Sequence, residues 1–309
     1  KDYRGGDFLM TAKKKEVIGR KDRYTKENVI FDAVIWLMLI VILLIIAYPF
    51  YYIMIASFND GYDFMKGGIY LFPRKFTLQN YVNLLAQEKW INAFEISFLR
   101  TILGTLITVS ATCLLSYALS RKELILGNIY KFMVIFAMYV SGGLIPYYVN
   151  LRNLHLLNTV WVYIIPSMLN LFFILIGINF FESIPVSLIE SARLDGASEF
   201  TVFFRIIRPV STPFIATLAL FSAVNQWNAW LDSAYYVNQE GLRTIAYRML
   251  SEINQTQGTV VTGGSIVNTS TALTTQASAM VASMLPIILV YPFLQKYFVQ
   301  GIMIGAVKE

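Results

Sequence analysis

The stretch Ala33–Asn59, AVIWLMLIVILLIIAYPFYYIMIASFN, contains no charged residue. Crossing the hydrocarbon core of a bilayer takes about 20 mostly apolar residues in helical form, so this segment reads as a transmembrane helix. Its apolar run exceeds the roughly 7–15 residues of a signal-peptide core, and no small-residue cleavage site follows it. It is expected to be an uncleaved anchor. Working outward from it, five further stretches have the same character. Thr101–Ser120 is the second and extends backward toward Ile91. Phe132–Leu151 is the third, interrupted by Ser141-Gly142-Gly143 and Pro146. Leu156–Phe181, Pro209–Leu231 and Ala277–Phe298 complete the set. Pro166, Pro213 and Pro286 fall in or near these segments, where neighbouring helices and small polar side chains can satisfy the freed carbonyls. The expected class is an all-α polytopic membrane protein with six transmembrane helices.

Composition agrees. Of the 309 residues 56% are hydrophobic and 14% charged, against about 25% charged in soluble domains. The net charge of +6 does not form a nucleic-acid-binding surface, because nine of the 25 Lys and Arg residues lie in the first 28 positions. The other cations sit mainly in short loops, which is the pattern that orients membrane proteins. With the N-terminus inside, the inner segments carry 17 cations and the outer ones seven. The reading is N-in/C-in: a basic arm over residues 1–28, a membrane domain over 29–309, and two long outer loops at 60–90 and 232–276. The first outer loop reads as ordered. Within the second, Asn254–Thr275 is rich in Thr, Ser, Gly, Gln and Asn and is expected to lack a packed core. The lone cysteine, Cys113, and the lone histidine, His155, exclude an internal disulfide and any thiolate- or histidine-rich metal site.

The most informative connection is ESIPVSLIESARLDGASEFTVFFRIIRPVSTP, Glu182–Pro213. Ser183 can cap a helix with Pro185 in its first turn. Val186, Ile189 and Ala192 recur at helical spacing. Gly196 supplies the left-handed backbone of a C-terminal cap, and Ser198 can cap a following helix that runs through Phe203 and Ile207 into the fifth span. The spacing predicts a short helix lying across the membrane surface and then a sharp turn. Such a helix either anchors the loop to headgroups or offers a docking face to a cytoplasmic partner.

This segment resembles the cytoplasmic signature of binding-protein-dependent ABC importer permeases: Glu-Ala-Ala, three residues, Gly, nine residues, Ile-x-Leu-Pro. Here it stands as Glu190-Ser191-Ala192, Gly196, and Ile206-Ile207-Arg208-Pro209. Ser191 replaces an alanine and Arg208 a leucine, the latter at a membrane border where a cation can snorkel. SGGLIPYYV (Ser141–Val149), LNTVWVYIIP (Leu157–Pro166), FFESIP (Phe180–Pro185), WNAW (Trp227–Trp230) and YPFLQKYFVQGIMIGAVKE (Tyr291–Glu309) are similar to the carbohydrate-importer, maltose-type branch, and more narrowly to oligosaccharide and polysaccharide permeases of Gram-positive bacteria. The resemblance runs from about Tyr24 to the C-terminus.

The resemblance implies a type I importer permease fold in a bacterial cell membrane. It also implies a homologous second permease subunit, two cytoplasmic ATPase subunits and an external solute-binding protein. Glu190, Ser191, Ala192, Asp195, Gly196 and Pro209 then map onto an ATPase-coupling motif in the loop 182–208. The chain has no Gly-x4-Gly-Lys-Ser/Thr loop, so ATP and Mg are expected on the partner ATPases, with no cofactor, metal or catalytic residue here.

For the solute path, Asn225, Trp227 and Asn228 offer amides and an aromatic face of the kind that binds sugars. Trp227 and Trp230 could instead form an interfacial belt. Arg100 and Glu95 sit near the outer end of the second helix, where ionisable groups in a span usually face a bundle interior or a wet cavity, and are expected to pair with each other or with the partner permease. The rival readings are the same architecture moving a peptide, amino acid or anion, and a secondary transporter working alone. Against the latter, no internal repeat is present and Glu95 is the only acidic residue well inside a candidate span.

Overall fold

The computed structural model describes residues 26–261, 273–290 and 292. Among these residues the regular structure is helical, with one isolated antiparallel bridge between Asn59 and Phe76. The basic arm up to residue 25, the stretch 262–272 of the second outer loop, and the tail from Tyr291 apart from residue 292 lie outside the described residues, as does the expected end of the sixth span at Phe298.

Helix α1 (Lys26–Ser57) covers the first apolar run, and its apolar window is bare of contacts with the rest of the chain. A helix that is hydrophobic all round and packs on nothing is suited to lipid. Only its final turns, around Ile55 and Ala56, are buried. They meet the first long loop, which is ordered as its composition suggests. It holds α2 (Gly61–Met65) and α3 (Gln79–Leu85). Arg74 clasps the buried Asp63 at 2.9 Å, and the Asn80 side chain donates to the carbonyls of Ser57 and Asn59.

The central element is α4 (Glu88–Ser120), which begins earlier than its apolar stretch. Trp90 is buried, and Lys89 pairs with Glu252, so tertiary contacts accommodate the charged first turn. Two later helices lie along α4, and both approach through glycine. A Cβ on Gly104 would fall 2.6 Å from the Gln226 side chain, and one on Gly177 would fall 2.7 Å from Ser116 Cβ. Small residues of this kind let membrane helices pack backbone to backbone.

The third and fourth spans are not single helices. The third divides into α5 (Gly127–Tyr139) and α6 (Leu144–Asn153), which meet at 116° across Val140–Gly143, where Gly143 has φ +84°. The fourth divides into the short α7 (Trp161–Ile164) and α8 (Leu171–Glu182). The gap around Pro166 is held by hydroxyls of α4. Thr108 donates to the Ser167 carbonyl (2.8 Å), and Thr112 accepts from the Asn170 N–H (3.2 Å). Asn170 then caps α8 by accepting the Phe173 N–H.

Beyond α8 come α9 (Val186–Leu194), α10 (Glu199–Val210), α11 (Thr212–Asn228), α12 (Leu231–Tyr236) and α13 (Ile245–Val261). The helix expected to run unbroken into the fifth span bends instead by 83° at Ser211, between α10 and α11. Helix α13 continues to Val261, so the polar stretch from Asn254 begins as helix. The last described helix is α14 (Leu273–Val290), which starts before the expected Ala277. Helices α1, α4 and α14 are each long and apolar enough to cross a membrane, and six such segments result if each bent pair counts as one.

Candidate coupling surface and polar cleft

Helix α9 leaves α8 at 73°. Ser183 does not cap α9: its N–H donates to the Asn179 and Phe180 carbonyls, closing α8. Pro185 occupies the cap position (φ −55°, ψ 124°), because its fixed φ turns the chain just before the new helix. At the other end the local chemistry follows the sequence. Gly196 has φ +79°, its N–H donates to the Arg193 carbonyl, and the Ala197 N–H donates to that of Ala192, both at 3.0 Å. These two bonds form a Schellman cap. Ser198 accepts from the Thr201 N–H and starts α10.

Ile189 and Ala192 face inward, into an apolar cluster with Tyr117, Phe181, Val202, Phe203 and Ile207. Glu190, Ser191, Asp195 and Gly196 face outward and are exposed. The motif positions therefore split between a buried seam and a free face. Leu194 lies on that free face, 89% exposed. It falls off the Ile189–Ala192 stripe, so spacing alone did not single it out. Pro209, also exposed, stands just after a π-helical turn, Phe203–Ile207. Without an N–H it cannot take up the regular bond to the carbonyl four residues back.

Arg193 fastens α9 sideways. Its guanidinium donates to both Glu123 oxygens, in the connection after α4, at 2.9 and 2.8 Å, and to Glu199 at the start of α10 at 2.7 Å. The Arg193 guanidinium holds the Glu123 carboxyl below the ordinary carboxylate range, as a bidentate charged pair does.

Toward the other end of α4 is a polar cleft of about 300 Å³. It is lined by Arg100, Ser167, Asn170, Asn225, Gln226 and Asp232, among others. Arg100, 2% exposed, is saturated: Nε and Nη2 donate to Gln226 Oε1, Nη1 to the Ala229 carbonyl and Asp232 Oδ1, and Nη2 to Asp232 Oδ2 at 2.6 Å. All five guanidinium N–H groups are in use, and the plane lies over the Tyr163 ring. Arg100 thus has no donor left for a solute. It does not pair with Glu95, which is exposed and sits about 140° away around the helix. Asp232, the true partner, lies at the start of the second outer loop, just past Trp230.

The three residues of the expected sugar wall separate. Asn225 lines the cleft. Trp227 is buried against Trp90, Leu84 and Ile245, its indole N–H donates to the Ser283 carbonyl (3.1 Å), and Phe98 meets it edge-on. Two residues on from Asn225, it is turned about 200° around α11, so it fastens the helix rather than lining the opening. Asn228 is exposed but folds its amide back to the Val224 carbonyl. Among the described residues no three His, Cys, Asp or Glu side chains come together as a metal site would require.

No family model matches the chain. It is 33% identical over 285 residues to the polygalacturonan/rhamnogalacturonan transport system permease protein YtcP of Bacillus subtilis, covering 91% of this chain and 99% of that one. It is 35% identical over 291 residues to protein LplC of the same organism, covering 92% and 97%. Among solved structures, a chain of a bacterial ABC transporter involved in the import of the acidic polysaccharide alginate superposes with a TM-score of 0.80, at 26% identity, over 89% of this chain and 99% of that one.

Proposed function

The chain belongs to the family of permease subunits of carbohydrate ABC importers, and we propose that it carries an oligosaccharide inward across a bacterial cell membrane, driven by ATP hydrolysis on partner subunits. The observation that supports this reading most is the build of α9. One side is packed into an aromatic cluster spanning α4, α8, α10 and α11, and the other presents Glu190, Ser191, Leu194 and Asp195 to solvent. A short helix with a rigid back and a free face can pass a push from a docked ATPase into the bundle. Glu190 supplies a carboxylate for a charge-assisted bond to that partner, and the Gly196 cap sets the corner through which the push travels.

In this reading the assembly holds a second, homologous permease, two ATPase subunits with their ATP and Mg, and an external solute-binding protein. The present chain has no catalytic role. Taken as α1, α4, α5–α6, α7–α8, α11 and α14, the spans number six, with both termini inside; the 17-to-7 asymmetry of cations supports that orientation. The sugar path runs through the polar cleft, where Asn225 offers an amide to solute hydroxyls, with Asn228 one turn further along the same helix. Arg100 and Trp227 hold α11 in place for it.

The test is co-purification from the native membrane followed by reconstitution. The chain is expected to bring down a second permease and an ATPase, and the complex to raise ATP turnover when its binding protein is loaded with an oligosaccharide. A complex stimulated only by an amino acid, peptide or phosphate would overturn the carbohydrate assignment.

A further inference from the structure

Helix α12 carries Asp232 to the polar cleft and, one turn later, Tyr236 to a second cavity of about 490 Å³. The residues that give this cavity its character are Ser141, Gly142 and Gly143 at the break of the third span, Tyr147 and Asn150 on α6, and Tyr236. Its volume is in the range of small-molecule sites, about 300–1,000 Å³.

Three features give it the chemistry of a sugar site. The first is aromatic: the rings of Tyr147 and Tyr236 stand 5.7 Å apart, inclined at 54°, offering flat apolar faces to the C–H side of a pyranose. Tyr236 is held firmly in place, because its carbonyl accepts the Asn158 N–H (3.1 Å) and Asn158 Oδ1 accepts the Asn238 N–H (2.6 Å). The second is polar: Asn150 lies one helical turn from Tyr147 on α6, so an amide sits beside an aromatic face. The third is the backbone. Among the described residues the N–H groups of Ser141 and Gly142 have no backbone partner, and that of Gly143 reaches only the Ser141 hydroxyl (3.3 Å). Non-helical backbone within an apolar bent pair is tolerated where protein buries it or where it lines a wet cavity, and this stretch lines one.

The geometry points to this cavity as an oligosaccharide subsite separate from the Asn225 cleft, taking one pyranose ring by its face and hydroxyls. Among the described residues no Lys or Arg lines it, so recognition does not depend on a sugar carboxylate, and neutral and uronic rings bind alike. Asp232 and Tyr236, one turn apart on the same face of α12, border one cavity each, so a chain of sugar units would pass from one to the other beside the Arg100–Asp232 pair. This inference rests on the carbohydrate-import reading.

The experiment uses the assembled transporter carrying Ser141→Cys. Cys113 is the only cysteine of the chain and is buried, so maleimide labelling of this subunit reports on position 141. A panel of neutral and uronic di- to pentasaccharides serves as probe. Members of both classes are expected to slow labelling, and Tyr236→Ala or Tyr147→Ala to raise the half-protecting concentration by about tenfold, while Tyr236→Phe shifts it little. Three results overturn the subsite: an introduced thiol closed to label because a partner subunit fills the cavity, protection by no sugar in a complex that still imports one, and protection by uronic sugars alone. Failure of the unsubstituted complex to import any sugar strikes the parent reading instead.

Discussion

Arg193 in α9 and Glu123 in the connection after α4 share a bidentate ion pair with N–O distances of 2.9 and 2.8 Å. Seventy positions apart in the chain, they join the candidate coupling helix to the end of the central helix without passing through the apolar cluster beneath. Glu199 completes the clasp from α10. A push on α9 therefore has two routes into the bundle, one through side-chain packing and one through charge.

Breaking the charged route is expected to impair coupling more than stability. The Glu123 side chain is 61% exposed, and pairs so exposed contribute no more than about 1 kcal/mol. Glu123→Gln should leave the melting temperature within a few degrees yet lower sugar-stimulated ATP turnover. Because Arg193 holds the Glu123 carboxyl below its ordinary value, the pair's contribution is complete above the ordinary carboxylate range and is lost as pH falls through the lowered value. Melting curves of the wild type and Glu123→Gln should converge at acid pH, and a gap that widened there would contradict the pairing.

Gly196 tests the corner. A Cβ there meets nothing within 4 Å, so the penalty for a side chain is backbone strain alone, about 1–2 kcal/mol for a residue that avoids the left-handed region. Gly196→Val should uncouple ATP turnover from uptake, whereas Gly196→Asn, which tolerates that conformation, should retain most of both. Equal loss in the two variants would mean that the side chain collides with the docked partner.

Charge reversal at Glu190 addresses the docking face. Glu190→Lys should reduce the yield of co-purified ATPase while leaving the permease inserted. Normal association and uptake in this variant would remove Glu190 from the interface.

Arg100 and Asp232 form the pair with most at stake. Asp232→Asn leaves a buried guanidinium without its counter-charge and should destabilise the protein by about 3 kcal/mol, read as a lower melting temperature in detergent. Arg100→Met with Asp232→Leu removes both charges and should recover much of that loss. A double variant no better than Asp232→Asn would show that the Gln226 and Ala229 bonds dominate.

Gly177 sets the approach of α8 to α4 and α11. Its added Cβ would sit 2.7 Å from Ser116 Cβ and 2.9 Å from the Phe214 ring, so Gly177→Ala should cost about 1–3 kcal/mol by overpacking. Pairing it with Ser116→Gly, which opens one of the two contacts, should return part of that stability.

The amino-acid sequence alone determined what depends on neighbours along the chain. Apolar length specifies the membrane class. A glycine followed two residues later by serine specifies the end of α9 and the start of α10, because those caps close within five residues of backbone. The break of the third span is also local, written in Ser141-Gly142-Gly143, but only the tertiary structure decided where the fourth span breaks, since the gap after α7 is held by Thr108 and Thr112 of α4, more than fifty positions away. The same is true of the cleft. Arg100 reads as the partner of Glu95 or of a second permease until Gln226, Ala229 and Asp232, 126 to 132 positions away, take all of its donors. Trp227 reads as a sugar platform until the crossing of α11 with α4 turns it into the core. A helix shows its caps in its own residues, but which of its faces is covered is settled by the helices that pack against it.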